Sequence, residues 1–232
     1  MIRGPTMGAV FEKVLRRLLR ESKGSTDGLA VLTFNSQVGR TAILYDPTGL
    51  VQNFEEILHP DQRTRFFEDY DVADILKGVV AVRKVPEWNG KCYGAWQIDY
   101  IAGPGWGHIL YPVAQALTPE GLLTPDRSSV SDDASGAWEK SLKLGRPRKK
   151  FDNMKDPKTP PPEDDCKIDP ERDHLNWAYG PKGGEAGLLK TLEDNHWDAM
   201  SQIPADVRKK IAWILQEEAD IFVDNNLPPG DI

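Results

Sequence analysis

The stretch GAWQIDYIAGPGWGHILYPVAQAL, residues 94–117, changes its period in the middle. Up to Ala102 it alternates: Trp96, Ile98 and Tyr100 on one side, Gln97, Asp99 and Ile101 on the other. That is the pattern of a half-buried strand. Glycines then occupy positions 103, 105 and 107, and residues 108–117 read as helix. A glycine turn between a strand and a helix has a definite chemistry. Without side chains, backbone N–H groups can approach an anion closely. The helix start adds unsatisfied donors and the positive end of its dipole. The donors expected here belong to Gly103, Gly105, Trp106, Gly107 and His108, because Pro104 has no N–H. No Lys-Ser/Thr pair follows, which disfavours a Walker-type nucleotide loop. The turn does not open an alternating βαβ series either, which disfavours a Rossmann dinucleotide site.

Working outward, residues 29–34 and 41–45 are β-rich runs joined by a polar connection, and they predict a hairpin. Asp46-Pro47-Thr48-Gly49 reads as a break. Residues 50–58 and 62–76 then read as two helices parted by His59-Pro60, since proline cannot continue a helix interior. Residues 78–85 and 93–102 are expected as a second hairpin around Asn89-Gly90. Beyond the glycine turn and its helix, a short strand is expected at 122–124. A helix capped by Ser131 runs to about residue 142. From Gly145 to about Asp173 proline and charge replace any apolar period, and the expectation is an irregular excursion. Residues 185–200 and 204–223 each carry a helical stripe and are expected as an antiparallel pair. At the other end, residues 7–21 place Val10, Phe11, Val14, Leu15, Leu18 and Leu19 on one stripe, the mark of a surface helix packed on the domain. The organisation is therefore an N-terminal helix (1–27), a core (28–144), the excursion (145–183) and a C-terminal helical pair (184–232). The fold class is α+β, a mixed and mostly antiparallel sheet flanked by helices.

Composition narrows the function classes. Apolar residues at 39 % and charged residues at 28 % are in the ordinary range for a globular protein. The longest near-apolar run, residues 109–117, is about half of a bilayer span and is interrupted by Pro112, so no membrane partner is expected. No charged-apolar-small pattern opens the chain, so no secretory signal is expected. Cys92 and Cys166 form no CxxC pair, and the four histidines share no ligand spacing with them, so no metal site is expected. A net charge of −7 argues against general attraction to nucleic acid. The basic run Lys140, Lys143, Arg146, Arg148, Lys149 and Lys150, balanced by Glu163, Asp164 and Asp165, reads first as the solvated head of a loop, with a nucleic-acid contact or a hold on a ligand phosphate as the alternatives.

The run 94–117, followed by GLLTPDRSSVSDDASGAW and by the later PKTPPPEDDC and LNWAY elements, resembles the GNAT superfamily, and within it the GNAT-like proteins carried by bacteriophages. The resemblance covers roughly residues 28–180. Gly105-Trp106-Gly107 matches the Gly-x-Gly of that family's pyrophosphate loop, Arg/Gln-x-x-Gly-x-Gly/Ala, with Ala102 where the family has Arg or Gln. The final strand pair of the family is not evident in residues 145–179. The resemblance implies a GNAT-like N-acyltransferase fold that binds acetyl-CoA through Tyr100, Ile101, Gly103, Gly105, Trp106, Gly107 and His108. Tyr100 and Ile101 would supply oxyanion donors, Asp99 or Asp126 the base, and Tyr111 the acid for the leaving thiolate. The acceptor would be an amine, on a small molecule or a protein. The alternative it implies is an inactive GNAT-like virion or host-interaction protein, with virion subunits or copies of itself as partners. Its location would be the host bacterial cytoplasm or the virion.

Overall fold

The computed structural model describes residues 26, 28–36, 39–52, 75–84, 96–119, 121–125, 130, 132–145, 147–150, 169–181, 183–201 and 203–226. The expected N-terminal helix, the helices over residues 53–74, the turn at Asn89-Gly90, Asp126, Ser131, both cysteines and residues 151–168 of the excursion lie outside the described residues.

The first expected hairpin forms. Strand β1 (Ala30–Asn35) runs antiparallel to β2 (Gly39–Tyr45), from Ala30 opposite Tyr45 to Asn35 opposite Arg40. Asp46-Pro-Thr-Gly is a helix start rather than a break. The Asp46 carboxylate accepts from the Thr48 N–H at 2.9 Å, and Pro47 opens α1 (Pro47–Gln52). Proline is well suited to that position, because its missing N–H would have had no intrahelical partner. Strand β3 (Leu76–Lys84) begins two residues earlier than expected, taking Leu76 from the predicted helix. With β4 (Trp96–Ala102) it completes a four-stranded antiparallel sheet in the order β1-β2-β3-β4.

Alternation divides the sheet into two apolar faces. Ala30, Leu32, Ile43, Tyr45 and Val79 belong to one; Val31, Ala42, Leu44, Val80 and Val82 belong to the other. The first face is covered by α5 (Ala205–Asn226), through Ile211, Ile214, Leu215, Ala219 and Phe222. The second is covered by α2 (Gly107–Leu117), through Ile109, Leu110, Val113, Ala114 and Leu117. Helix α2 runs unbroken through Pro112. At its C-terminus, where carbonyls lack intrahelical donors, Arg40 Nη1 donates to Leu117 O at 2.5 Å while its guanidinium lies over the Trp96 ring.

The two C-terminal helices form, but each packs on the sheet rather than on the other. Helix α4 (Glu185–Met200) lies along β1 through three side chains in one turn. Glu193 accepts from Thr33 Oγ1 at 2.9 Å, and Asn195 Nδ2 donates to Leu29 O at 2.7 Å. His196 Nδ1 meets the buried Tyr45 hydroxyl at 2.6 Å. Covering an edge strand in this way removes a template for pairing with another chain. No helix among the described residues is long and apolar enough to cross a membrane.

Within the segment read as irregular, two short strands form: β5 (Pro147–Lys150) and β6 (Trp177–Tyr179), paired antiparallel. At three and four residues they are too short for a local period to show. Long-range pairing builds them instead. Leu123 and Tyr179 exchange backbone hydrogen bonds at 3.1 and 2.9 Å, and Thr124 N donates to Trp96 O at 2.8 Å. The expected short strand at 122–124 is thus a bridge, antiparallel to β6 on one side and parallel to β4 on the other. Buried Gln115 of α2 ties in the same region, its amide donating to the carbonyls of Tyr179 and Gly180 at 3.3 and 3.0 Å. Helix α3 (Asp132–Lys143) sets Trp138 between Tyr111 and Tyr179, with ring centroids 5.5 and 4.9 Å away.

Candidate functional site: the glycine turn at the end of β4

Strand β4 does not keep its alternation. Its register passes from Ile98 opposite Val82 to Tyr100 opposite Ala81, so Asp99 is the additional residue of a β-bulge. A bulge moves every later side chain to the other face. Trp96 and Ile98 accordingly join the α2 side, whereas Tyr100 joins the α5 side, where Ala102 is buried as well. The expected common face of Trp96, Ile98 and Tyr100 is corrected on this point. The bulge also ends the parallel contact: Ile98 N donates to Thr124 O at 3.3 Å. Beyond it no described residue pairs with the outer edge of β4.

The three glycines have different roles. A methyl carbon on Gly103 would stand 2.6 Å from Leu110 Cδ1 and 3.0 Å from both Gly78 Cα and Lys77 O. Gly78 is as tight, with Ala102 O at 2.8 Å and Leu110 Cδ1 at 2.7 Å. Those two glycines let β3, β4 and α2 close on one another. Gly105 has φ +83°, a left-handed conformation that favours glycine, and has open space where a side chain would be. Gly107 opens α2 with nothing nearer than the Tyr111 ring carbons at 3.8 Å.

The turn is closed by Trp106 N donating to Gly103 O at 3.0 Å, so Trp106 is not available as an anion donor. Trp106 O then receives Ile109 N and Leu110 N. Among the described residues the N–H groups of Gly105, Gly107 and His108 make no hydrogen bond. They are the donors that a glycine turn and a helix start leave for an anion. His108 is exposed. Its Nδ1–H donates to Gly105 O at 3.1 Å and its ring stacks beside Trp106, which stiffens the turn.

Of the expected catalytic residues, Asp99 and Tyr111 can be placed. Asp99 is tied to Arg83 Nε at 2.9 Å, an exposed pair. The Gln97 amide, with its oxygen toward Arg83, accepts from the same guanidinium at 3.1 and 3.2 Å. Arg83 escaped the sequence reading because the pairing of β3 with β4 that sets it opposite Gln97 and near Asp99 is not local to either run. Burial holds the Tyr100 phenol above its usual pKa, with Asp220 and Asp99 adding to the shift and a hydrogen bond to Thr41 opposing it. Tyr111 packs edge-on against Trp138, one helical turn from Gly107. The turn and Tyr111 are therefore neighbours, while the Asp99–Arg83–Gln97 group forms a separate cluster further along β4.

Comparison of the chain with protein-family models, with curated proteins and with solved structures returned no match.

Proposed function

We propose that this protein is a GNAT-like N-acyltransferase that takes an acetyl group from acetyl-CoA and passes it to an amine. The observation that carries the reading is the N–H groups of Gly105, Gly107 and His108, which make no hydrogen bond among the described residues, at the start of α2 beside the part of β4 beyond the bulge, whose outer edge no described residue pairs. Open space over Gly105 and Gly107 suits the close approach of a phosphate. Bound there, acetyl-CoA would supply an acyl group activated as a thioester.

The residues of this chain then have stated tasks. Gly105, Gly107 and His108 would hold the pyrophosphate through N–H groups, without a side-chain cation at position 102. Backbone donors of Tyr100 and Ile101 would steady negative charge on the acyl oxygen. Asp99, paired with Arg83, would take the proton of the acceptor ammonium at a carboxylate oxygen. Asp126 is the second candidate base. Tyr111 would return a proton to the leaving thiolate.

Calorimetric titration tests the reading. The wild type should bind acetyl-CoA, and Gly105→Asp and Gly107→Asp should abolish binding by clash and like charge. No heat from the wild type at millimolar acetyl-CoA would overturn it.

One observation favours a second reading, a GNAT-like domain kept for assembly in a virion or for host interaction. The carboxylate best placed on β4 is engaged by Arg83, whose guanidinium also meets the Gln97 amide, and Ala102 is buried where the family has Arg or Gln. Mass spectrometry of purified particles that finds the chain there, together with absent turnover, would decide for it.

A further inference from the structure

We propose that Ser135 and His174 form a nucleophile–base pair that takes an acyl group from small carboxylic esters. Ser135 Oγ lies 2.7 Å from His174 Nε2, and both side chains are half-buried, within reach of solvent. A serine or threonine inside a helix commonly bonds back to a carbonyl of the preceding turn, as Thr191 does to Gly187 O at 2.9 Å. Ser135 instead meets a ring 39 residues further along the chain. A nucleophile and a base within hydrogen-bond reach, with the base itself held in place, are the elements of an activated serine.

His174 is held firmly. It sits on a short 3-10 helix (Asp173–Asn176) whose carbonyl at position 174 accepts from the Tyr179 hydroxyl. Next to it, Asp169 N donates to Asn176 Oδ1 at 2.8 Å, and Asn176 Nδ2 donates back to Asp169 O at 2.7 Å. The Asp169 carboxylate accepts the N–H groups of Glu171 and Arg172 at 3.0 Å each, and the Arg172 guanidinium at 2.8 Å. The backbone that carries the imidazole is thus pre-ordered, and the ring itself is met by Ser135 Oγ.

Glu139, one turn beyond Ser135, is held ionised chiefly by Lys143, its ion-pair partner at 2.7 Å, with the His174 ring adding a smaller share. The neighbours of the pair carry both signs, the acids Asp132 and Asp173 with the bases Lys143 and Arg172. The pair lies on α3 and the 3-10 helix, and the glycine turn contributes no residue to it. In the step, Ser135 Oγ bonds to the acyl carbon and the carbon–oxygen bond to the leaving alcohol breaks. The hydroxyl proton passes to His174 Nε2 and from there to the departing oxygen.

The test uses p-nitrophenyl acetate on the full chain, with release of p-nitrophenol followed by its absorbance and peptides mapped by mass. An acetyl group recovered on the peptide at Ser135, absent in Ser135→Ala, supports the pair. So does a rate of acetylation lowered roughly 100-fold in His174→Gln, the scale expected for losing a general base. Acetylation confined to lysines or histidines in the wild type overturns the proposal. An unchanged rate in His174→Gln overturns it equally. The wild-type map decides even if a variant fails to fold, and acetyl-CoA titration of the same sample reads the glycine turn separately.

Discussion

Helices α2 and α4 meet the sheet in opposite ways. Helix α2 lies on a face through apolar side chains, and Leu110 presses into the gap left by Gly78 and Gly103. Helix α4 lies along the β1 edge, where beside buried Leu192 it is fixed by hydrogen bonds of Glu193 and Asn195 to β1 and its approach and of His196 to Tyr45 of β2. The first contact answers to volume, because close-packed atoms leave no room to adjust. The second answers to protonation, because one of its partners is an imidazole.

The largest effect expected is on the volume side. Leu110 is fully buried, so Leu110→Ala should lower unfolding free energy by about 2–5 kcal/mol in denaturant titration. Gly78→Ala should cost about 1–3 kcal/mol, since the new methyl meets backbone oxygen as well as a side chain. A Gly78→Ala protein as stable as the wild type would show that α2 is not seated on the glycines.

The protonation side has a sign that can be worked out. Burial, reinforced by Arg208, holds the His196 pKa below its usual value. The unfolded chain therefore takes up that proton first as pH falls. The contribution of neutral His196 is full above about pH 6.5 and is lost as pH drops toward the folded value. Burial also raises the Tyr45 pKa, and the phenol shares a hydrogen bond with the neutral ring. Tyr45→Phe should cost about 1 kcal/mol near neutral pH. The stability gap between wild type and His196→Gln should narrow from about pH 7 to pH 5, whereas the Leu110→Ala gap should stay constant. A His196→Gln gap independent of pH would remove the contrast between the two helices. The smallest effect is expected at Gly107, where alanine fits a helix start in open space. Gly107→Ala should add about 0.5 kcal/mol of stability while weakening acetyl-CoA binding, if those N–H groups are used as proposed.

The legible parts of the fold were those with a local period. The β1–β2 hairpin, the runs of β3 and β4, the glycine turn and the later helices all follow from spacing along the chain. The illegible parts depend on distant partners. Strands β5 and β6 exist because they pair with each other, and β6 in turn with Leu123, and nothing in PRKK or WAY predicts that. The bulge at Asp99 is invisible because the sequence alternates through it, yet it decides which face Tyr100 joins. Within the site, sequence could locate the glycines but could not tell Gly103, which is needed for packing, from Gly105 and Gly107, which leave donors open.

The position of α5 has a consequence for synthesis. One whole face of the sheet, with Ile43, Tyr45 and Val79, is covered by residues 211–223. A ribosome adding about 5–20 residues per second needs roughly ten to thirty seconds to pass from Ile43 to Ile211. For that interval the nascent chain carries an uncovered apolar face, so its yield in the cell should depend on chaperone capacity more than the stability of the finished fold would suggest.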